Sequence, residues 1–335
     1  MLAQRANAFS ITEDHDAAVA AGRQALELAV VLGDSALHMQ ASLTLGAAYS
    51  TIGDFGRAVE LLQQSVEAAD QESGTPITPL RISSRAWLAR TLSALGAFAE
   101  GRRHGEEALR LATREGRGHT PIVVHVCLGL LYLAQGDLEH AIRVLEQGLA
   151  LCRASGDLGW LRSMTAGLGS AAALQGRFAE GRALLEEASR EDIRTIGHQS
   201  ALRVAWLSEG CRLMGCGEEA WQHAHKALDL ARQHKERANE ALALHQLGVV
   251  YAHNIPPDVA QAEAHYQQAL TLADELGMRP LQAHCHRGLG TLYATTGQQE
   301  QARTALTTAI AMYRAMDMAF WLPETEAALA QVEGR

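Results

Sequence analysis

The stretch Leu289-Gly290-Thr291-Leu292-Tyr293-Ala294-Thr295-Thr296-Gly297-Gln298-Gln299-Glu300-Gln301-Ala302 sets the frame for the whole chain. It reads as the end of one helix, a tight turn and the start of a second helix. A small residue at position 290 lets two helices approach closely, Tyr293 one turn on fills the space beside it, and Gly297 ends the helix. Ala302, twelve residues after Gly290, is a second small position on the following helix. The same wording recurs at Leu45-Gly46 with Tyr49 and Gly53, at Leu128-Gly129 with Tyr132 and Gly136, and at Leu247-Gly248 with Tyr251.

Weaker copies keep the spacing: Ala89 to Gly101, Gly169 to Gly181 and Ser208 to Ala220, beside Gly46 to Ala58 and Gly129 to Ala141. A third small residue follows seven later, at Ser65, Ala108, Gly148, Ala188, Ala227 and Ala309. One such copy is noise in an alanine-rich helix, but seven in register are not. The anchors Gly46, Ala89, Gly129, Gly169, Ser208, Gly248 and Gly290 lie 43, 40, 40, 39, 40 and 42 residues apart. Three small positions at fixed offsets, with leucines and a tyrosine between, resemble the tetratricopeptide repeat in a form longer than the usual ~34 residues. The resemblance implies an all-α, right-handed superhelical solenoid of about seven and a half repeats with a terminal capping helix.

The expected layout is a single solenoid over residues 1–335: an incomplete first repeat over 1–33, seven repeats over 34–318 and a terminal helix over 319–335. Met1 to Phe9 read as the end of a first helix, and Asp14 or Asp16 as the start of the next, which runs to about Leu32. An uncapped first repeat suggests that more protein precedes it, or that the open end pairs with something, a second copy included. Two prolines in Asp70–Pro79 predict an exposed loop. Asn254-Ile255-Pro256-Pro257-Asp258 reads as a two-residue insertion in a turn, moving the small position from Ala260 to Ala262.

Composition agrees with a helical stack: aromatic residues are 5% and Pro only 7 of 335. A net charge of -9 disfavours a nucleic-acid backbone or an anionic membrane as partner. No basic segment followed by an apolar run opens the chain, so a cytoplasmic protein is expected. Five scattered cysteines point to reduced thiols rather than disulfides. The only lysines are Lys226 and Lys235, so no phosphate-binding Gly-Lys-Ser/Thr loop exists, and no Gly-x-Ser-x-Gly or His-Glu-x-x-His motif appears. No enzyme, cofactor or metal is expected. Cys211 and Cys216 with His223 and His225 can be drawn as a zinc site, but a spacing of five along one helix would turn the thiols apart.

The ending carries a second resemblance. Tyr313-Arg314, Met316, Met318, Phe320-Trp321-Leu322, Glu326-Ala327 and Leu329, with Gly277-Met278-Arg279-Pro280-Leu281 and Gly288-Leu289-Gly290, look like the carboxyl end of bacterial signalling proteins. In those a class III nucleotide cyclase and a regulatory ATPase precede a long tetratricopeptide region. The resemblance implies a sensing arm of a larger protein, and none of the cyclase or ATPase residues is in this chain.

By the family's geometry the first helix of each repeat lines a concave groove. Around the anchors the groove floor reads Arg90, then an apolar stretch of Val126, Leu130 and Leu133, then a mixed polar end of Glu209, Arg212, His245, Val249, His284 and Arg287. An extended or helical peptide with an apolar stretch and an acidic end suits such a groove. The competing reading makes Val126, Leu130 and Leu133 ordinary packing residues. Alternatives to a peptide are an anionic metabolite held by Arg90, Arg212 or Arg287, and self-association through the open N-terminal end.

Overall fold

The computed structural model describes residues 14–71, 78–115, 118–190 and 200–334. They form sixteen α-helices and one 3-10 turn, with no strand among them. The order is α1 (His15–Leu32), α2 (Ser35–Ile52), α3 (Phe55–Gln71), α4 (Pro79–Ala94), α5 (Phe98–Glu115), α6 (Thr120–Gln135), α7 (Leu138–Ser155) and α8 (Leu158–Leu174). Then follow α9 (Phe178–Ser189), α10 (Ser200–Leu213), α11 (Gly217–Gln233), α12 (Arg237–His253), α13 (Val259–Leu276), α14 (Arg279–Thr295), α15 (Gln299–Ala315), the 3-10 turn Ala319–Trp321 and α16 (Leu322–Val332).

Each anchor falls on an even-numbered helix and pairs that helix with the odd one after it. The reason is steric. A methyl placed on Gly46 would stand 2.8 Å from Leu62, on Gly129 2.6 Å from Leu145, and on Gly290 2.6 Å from Leu306, so only a bare Cα admits the leucine of the partner helix. The twelve-residue partners Ala58, Ala141, Ala220 and Ala302 are each 0% exposed. Asp14, Asp34, Asp137 and Asp258 cap their helices through side-chain oxygens.

Asp14 therefore opens α1, as its capping chemistry predicts, and Asp258 opens α13 after the Asn254–Asp258 insertion, with Ala262 0% exposed. Met1 to Phe9 and most of Asp70–Pro79 lie outside the described residues; Pro79 itself occupies the first turn of α4, behind a Thr78 cap. The thiol geometry is corrected. Cys211 and Cys216 do not share a helix: α10 ends at Leu213, Gly215 turns left-handed, and the Cys216 amide donates back to the Cys211 carbonyl at 2.9 Å. The Cys216 sulfur instead takes an Arg182 N–H at 3.1 Å.

The superhelix is wound tightly enough to touch itself. The turn of the first repeat, at Gly53, lies under Ala238 and Leu276, at the start and the end of the sixth repeat's helix pair. The second, at Gly96, lies under Pro280 and Met316, and the third, at Gly136, under Phe320 and Trp321 of the cap. The first two turns thus lie between the start and the end of the helix pair five repeats further on, and the third meets the turn that leads into the cap. Polar clasps cross the same seam: His15 Nε2 to the fully buried Glu236 at 3.0 Å, Lys235 with Asp16, Arg102 with Asp317 at 3.6 Å, and Gln135 donating to the Asp317 carbonyl at 3.2 Å. Lys235 and Asp317 are also the two non-glycine residues with left-handed backbone among those described, at φ 57° and 56°. That conformation costs roughly 1 kcal/mol or more for a side chain, so the seam contacts hold strained turns in place.

Candidate functional site

The even helices face the inside of the superhelix, and their residues beside each anchor form its inner wall. In the first four repeats the wall is packed shut. Val126, Leu130 and Leu133 are 0%, 8% and 5% exposed and belong to the central core with Leu145, Met164 and Trp321. They are packing residues of α6, where three successive helices meet, and offer no open floor for a ligand. Arg90 on α4 lays its guanidinium over the Trp87 ring at 5.5 Å. Burial lowers its pKa, while Cys127 and Glu236 act on it in the opposite sense.

The polar end differs. Three consecutive inner helices, α10, α12 and α14, bring Glu209, Arg212, His245, His284 and Arg287 into one half-buried cluster. Arg212 grips Glu209 with both arms of its fork, at 2.9 and 2.7 Å, and Gln246 of the next repeat donates to the same carboxylate at 2.9 Å. Burial alone would raise the Glu209 pKa, but these hydrogen bonds and the Arg212 charge outweigh it and hold the group at about 2. The His245 ring lies 6.0 Å from His284 and 5.6 Å from Tyr266. Burial and the Arg287 charge push His245 down to about 4 and His284 well below its ordinary value. Arg287 reaches Glu324 of the cap at 3.2 Å. Val249 packs partly buried against the Tyr266–Leu289 cluster.

His284 does not face an open groove. Its Nε2 accepts the Trp321 indole N–H at 3.0 Å, and its Nδ1 lies 2.7 Å from the Tyr313 hydroxyl. Since the indole can only donate, Nε2 is unprotonated and Nδ1–H points to Tyr313. The cap and α15 therefore close one end of the cluster.

Repeat register alone missed Gln246, Tyr266, Tyr313, Trp321 and Glu324. The glycines Gly248 and Gly288 are the trace that Tyr266 leaves in the sequence, since a methyl on either would stand 2.6 or 2.5 Å from its ring; Gln246, next to His245 and so turned well round the helix from it, left none. For the cap residues no signal exists without knowing that the spiral closes. The cluster can hydrogen-bond backbone and polar side chains. Among the described residues no group of three or more His, Cys, Asp or Glu could hold a metal, and no helix is long and apolar enough to cross a membrane.

A family model described as MalT-like TPR region matches residues 1–214, and a second, tetratricopeptide repeat, matches residues 258–315. No curated protein matches the chain. Among solved structures, a Rap protein complexed with Competence and Sporulation Factor is similar at 15% identity and TM-score 0.64, over 88% of this chain and 85% of that one. The Rap conjugation gene regulator of the plasmid pLS20, in complex with the Phr* peptide, is similar at 13% identity and TM-score 0.62, over 95% and 96%. The apo form of the quorum sensor NprR from B. thuringiensis is similar at 12% identity and TM-score 0.55, over 99% and 97%. At such identities the likeness is one of fold.

Proposed function

Because this chain belongs to the MalT-like TPR region family, we propose that it is a peptide-recognition arm whose binding surface is the inner polar cluster. The protein is a non-catalytic repeat protein. The observation that carries the reading is the convergence of Glu209, Arg212, Gln246, His245 and Arg287 from three consecutive repeats onto one half-buried inner face. Of two proteins similar in fold, one is in complex with the Phr* peptide and one is complexed with Competence and Sporulation Factor, and the first supports a peptide ligand. The ligand enters with a polar or charged stretch toward Glu209, His245 and Arg287. Its apolar part rests on Val249 rather than on Val126, Leu130 and Leu133, which are occupied by packing.

An anionic metabolite fits less well. Arg212 is already neutralised by Glu209, Arg287 faces Glu324, and Arg90 is stacked on Trp87. The setting we propose is bacterial cytoplasmic signalling, in which occupancy is relayed to a catalytic module, a cyclase–ATPase one in the closest reading of the chain's ending.

The test is selection of a displayed random peptide library on the purified chain, with survivors measured by calorimetry. Affinities in the micromolar range, about -8 kcal/mol, are expected, and Arg287→Ala or Gln246→Ala should weaken them at least about tenfold. Survivors indifferent to both changes would sink the proposal. A second reading, self-association, rests on Leu28, Val30, Val31 and Leu32 of α1, which are 43%, 65%, 82% and 62% exposed. Sedimentation of a Val31→Glu variant beside the parent chain checks it: a dimer lost on substitution supports it, and a monomer in both excludes it.

A further inference from the structure

The first residue of each odd helix in the repeats, two after the turn glycine, is a large apolar side chain in four successive repeats: Phe55, Phe98, Leu138 and Phe178. The first three are 4%, 2% and 6% exposed, whereas Phe178 is 40% exposed. The cause lies in the spiral. Gly53, Gly96 and Gly136 are each covered by helix junctions about five steps on, through Ala238 and Leu276, Pro280 and Met316, and Phe320 and Trp321. A methyl placed on Gly176, with the same left-handed φ of 81°, would meet nothing within 4 Å. The fourth step thus repeats the chemistry of the covered three and carries no cover among the described residues.

Its surroundings form a notch of about 700 Å³ lined by Gly176–Glu180 of the fourth step with Leu213 and Met214. Met214, at the end of the neighbouring inner helix, is 38% exposed. Arg177 and Glu180 pair with each other at 2.9 Å, leaving the floor apolar and the rim uncharged on balance. Exposed large apolar residues gathered around a concavity and continuous with a packed seam mark an interaction surface.

We propose that the Gly176–Phe178 step docks a helix–turn–helix junction of a partner protein. The partner carries Met, Leu or Phe at the turn and a small residue or proline at the start of the following helix. The occupant is inferred from the intrachain covers: the junction after α13 brings Leu276 over Gly53 and Pro280 over Gly96, and the junction after α15 brings Met316 over Gly96 and Phe320–Trp321, just before Leu322-Pro323, over Gly136. The site is separate from the inner cluster, so it goes beyond the peptide reading and fails independently of it.

The probe is a labelled synthetic peptide of this chain's own residues 312–332, which cover the third step in the folded protein, titrated against the full chain by fluorescence anisotropy. Binding is expected to weaken more than about tenfold with Phe178→Glu or Met214→Glu. Phe178→Leu should retain it. Peptide with Phe320→Ala and Trp321→Ala should not bind. No binding, or binding indifferent to Phe178→Glu, overturns the proposal; indifference would mean that the peptide merely displaces its own copy from Gly136. Sedimentation of the chain alone provides the remaining arm: a dimer abolished by Phe178→Glu would make the occupant a second copy and overturn the partner assignment. Circular dichroism confirms that the variants fold, as exposed positions should.

Discussion

Trp321, in the turn before the last helix, donates its indole N–H to Nε2 of His284 at 3.0 Å and so fixes a neutral imidazole at the end of the inner cluster. Protonating that nitrogen would break the bond and place a cation beside Arg287 and His245.

A pH dependence follows. Both histidines have pKa values lowered by burial and by the Arg287 charge, to about 4 for His245 and further for His284. The folded state binds fewer protons than the unfolded chain, so this stability is fully present above the ordinary histidine pKa of about 6.5 and is lost as pH falls below it. Each group contributes a slope of at most about 1.4 kcal/mol per pH unit between its unfolded and folded pKa. Melting temperature should fall from pH 7 to pH 5, and fall less in a His245→Asn/His284→Asn variant. Equal slopes in the two proteins would show that the pair titrates freely.

Two glycines with nearly the same backbone separate strain from collision. Gly136 and Gly176 have φ of 87° and 81°. A methyl on Gly136 would stand 2.6 Å from Phe320, while one on Gly176 meets nothing. Gly176→Ala should cost roughly 1–2 kcal/mol for the left-handed conformation alone. Gly136→Ala should cost about 1–3 kcal/mol more, because the cap must shift. Urea denaturation of both variants checks the difference, and equal losses would mean that the seam at Gly136 contributes nothing.

The repeat frame was legible because it depends on local sterics: a bare Cα at Gly46 or Gly290 admits one leucine, and that demand repeats every forty residues or so. The polar end of the inner wall was legible for the same reason, since register alone puts Glu209, Arg212, His245 and Arg287 on one face. What register could not show is closure. Contacts such as Gln135 to Asp317, or His15 to Glu236, join residues 182 and 221 positions apart and depend on the pitch of the whole spiral. Pitch is a sum of small rotations at every repeat interface. For that reason Val126, Leu130 and Leu133 looked like an open floor and are packed, and His284 looked free and is held by the cap.

Tyr266 tests how far the glycines serve its ring. It is 2% exposed and wedged between Gly248 and Gly288 on neighbouring inner helices. Either glycine changed to alanine should cost about 1–3 kcal/mol through overpacking, and Tyr266→Ala about 3–5 kcal/mol through a cavity. Gly248→Ala combined with Tyr266→Ala should recover part of the sum, since the methyl then occupies vacated space. Strict additivity in thermal or chemical melts would contradict this wedge.

Glu209 and Arg212 provide the last measurement. The side chains are 27% and 19% exposed, bidentate, and extended by Gln246, so the pair lies between a solvated surface bridge and a buried one. A double-mutant cycle with Glu209→Gln and Arg212→Met should give a coupling of about 1–2 kcal/mol at pH 7. The carboxylate is held at about 2, below its unfolded value of 4.5. Its contribution is therefore complete above pH 4.5 and is lost as pH falls from there toward 2. The coupling should persist at pH 5.5, where Glu209 remains ionised and the buried His245 and His284 stay neutral in the folded protein. A coupling near zero at both pH values would mean that the Arg212 fork is free, which would return the anionic-metabolite reading to contention.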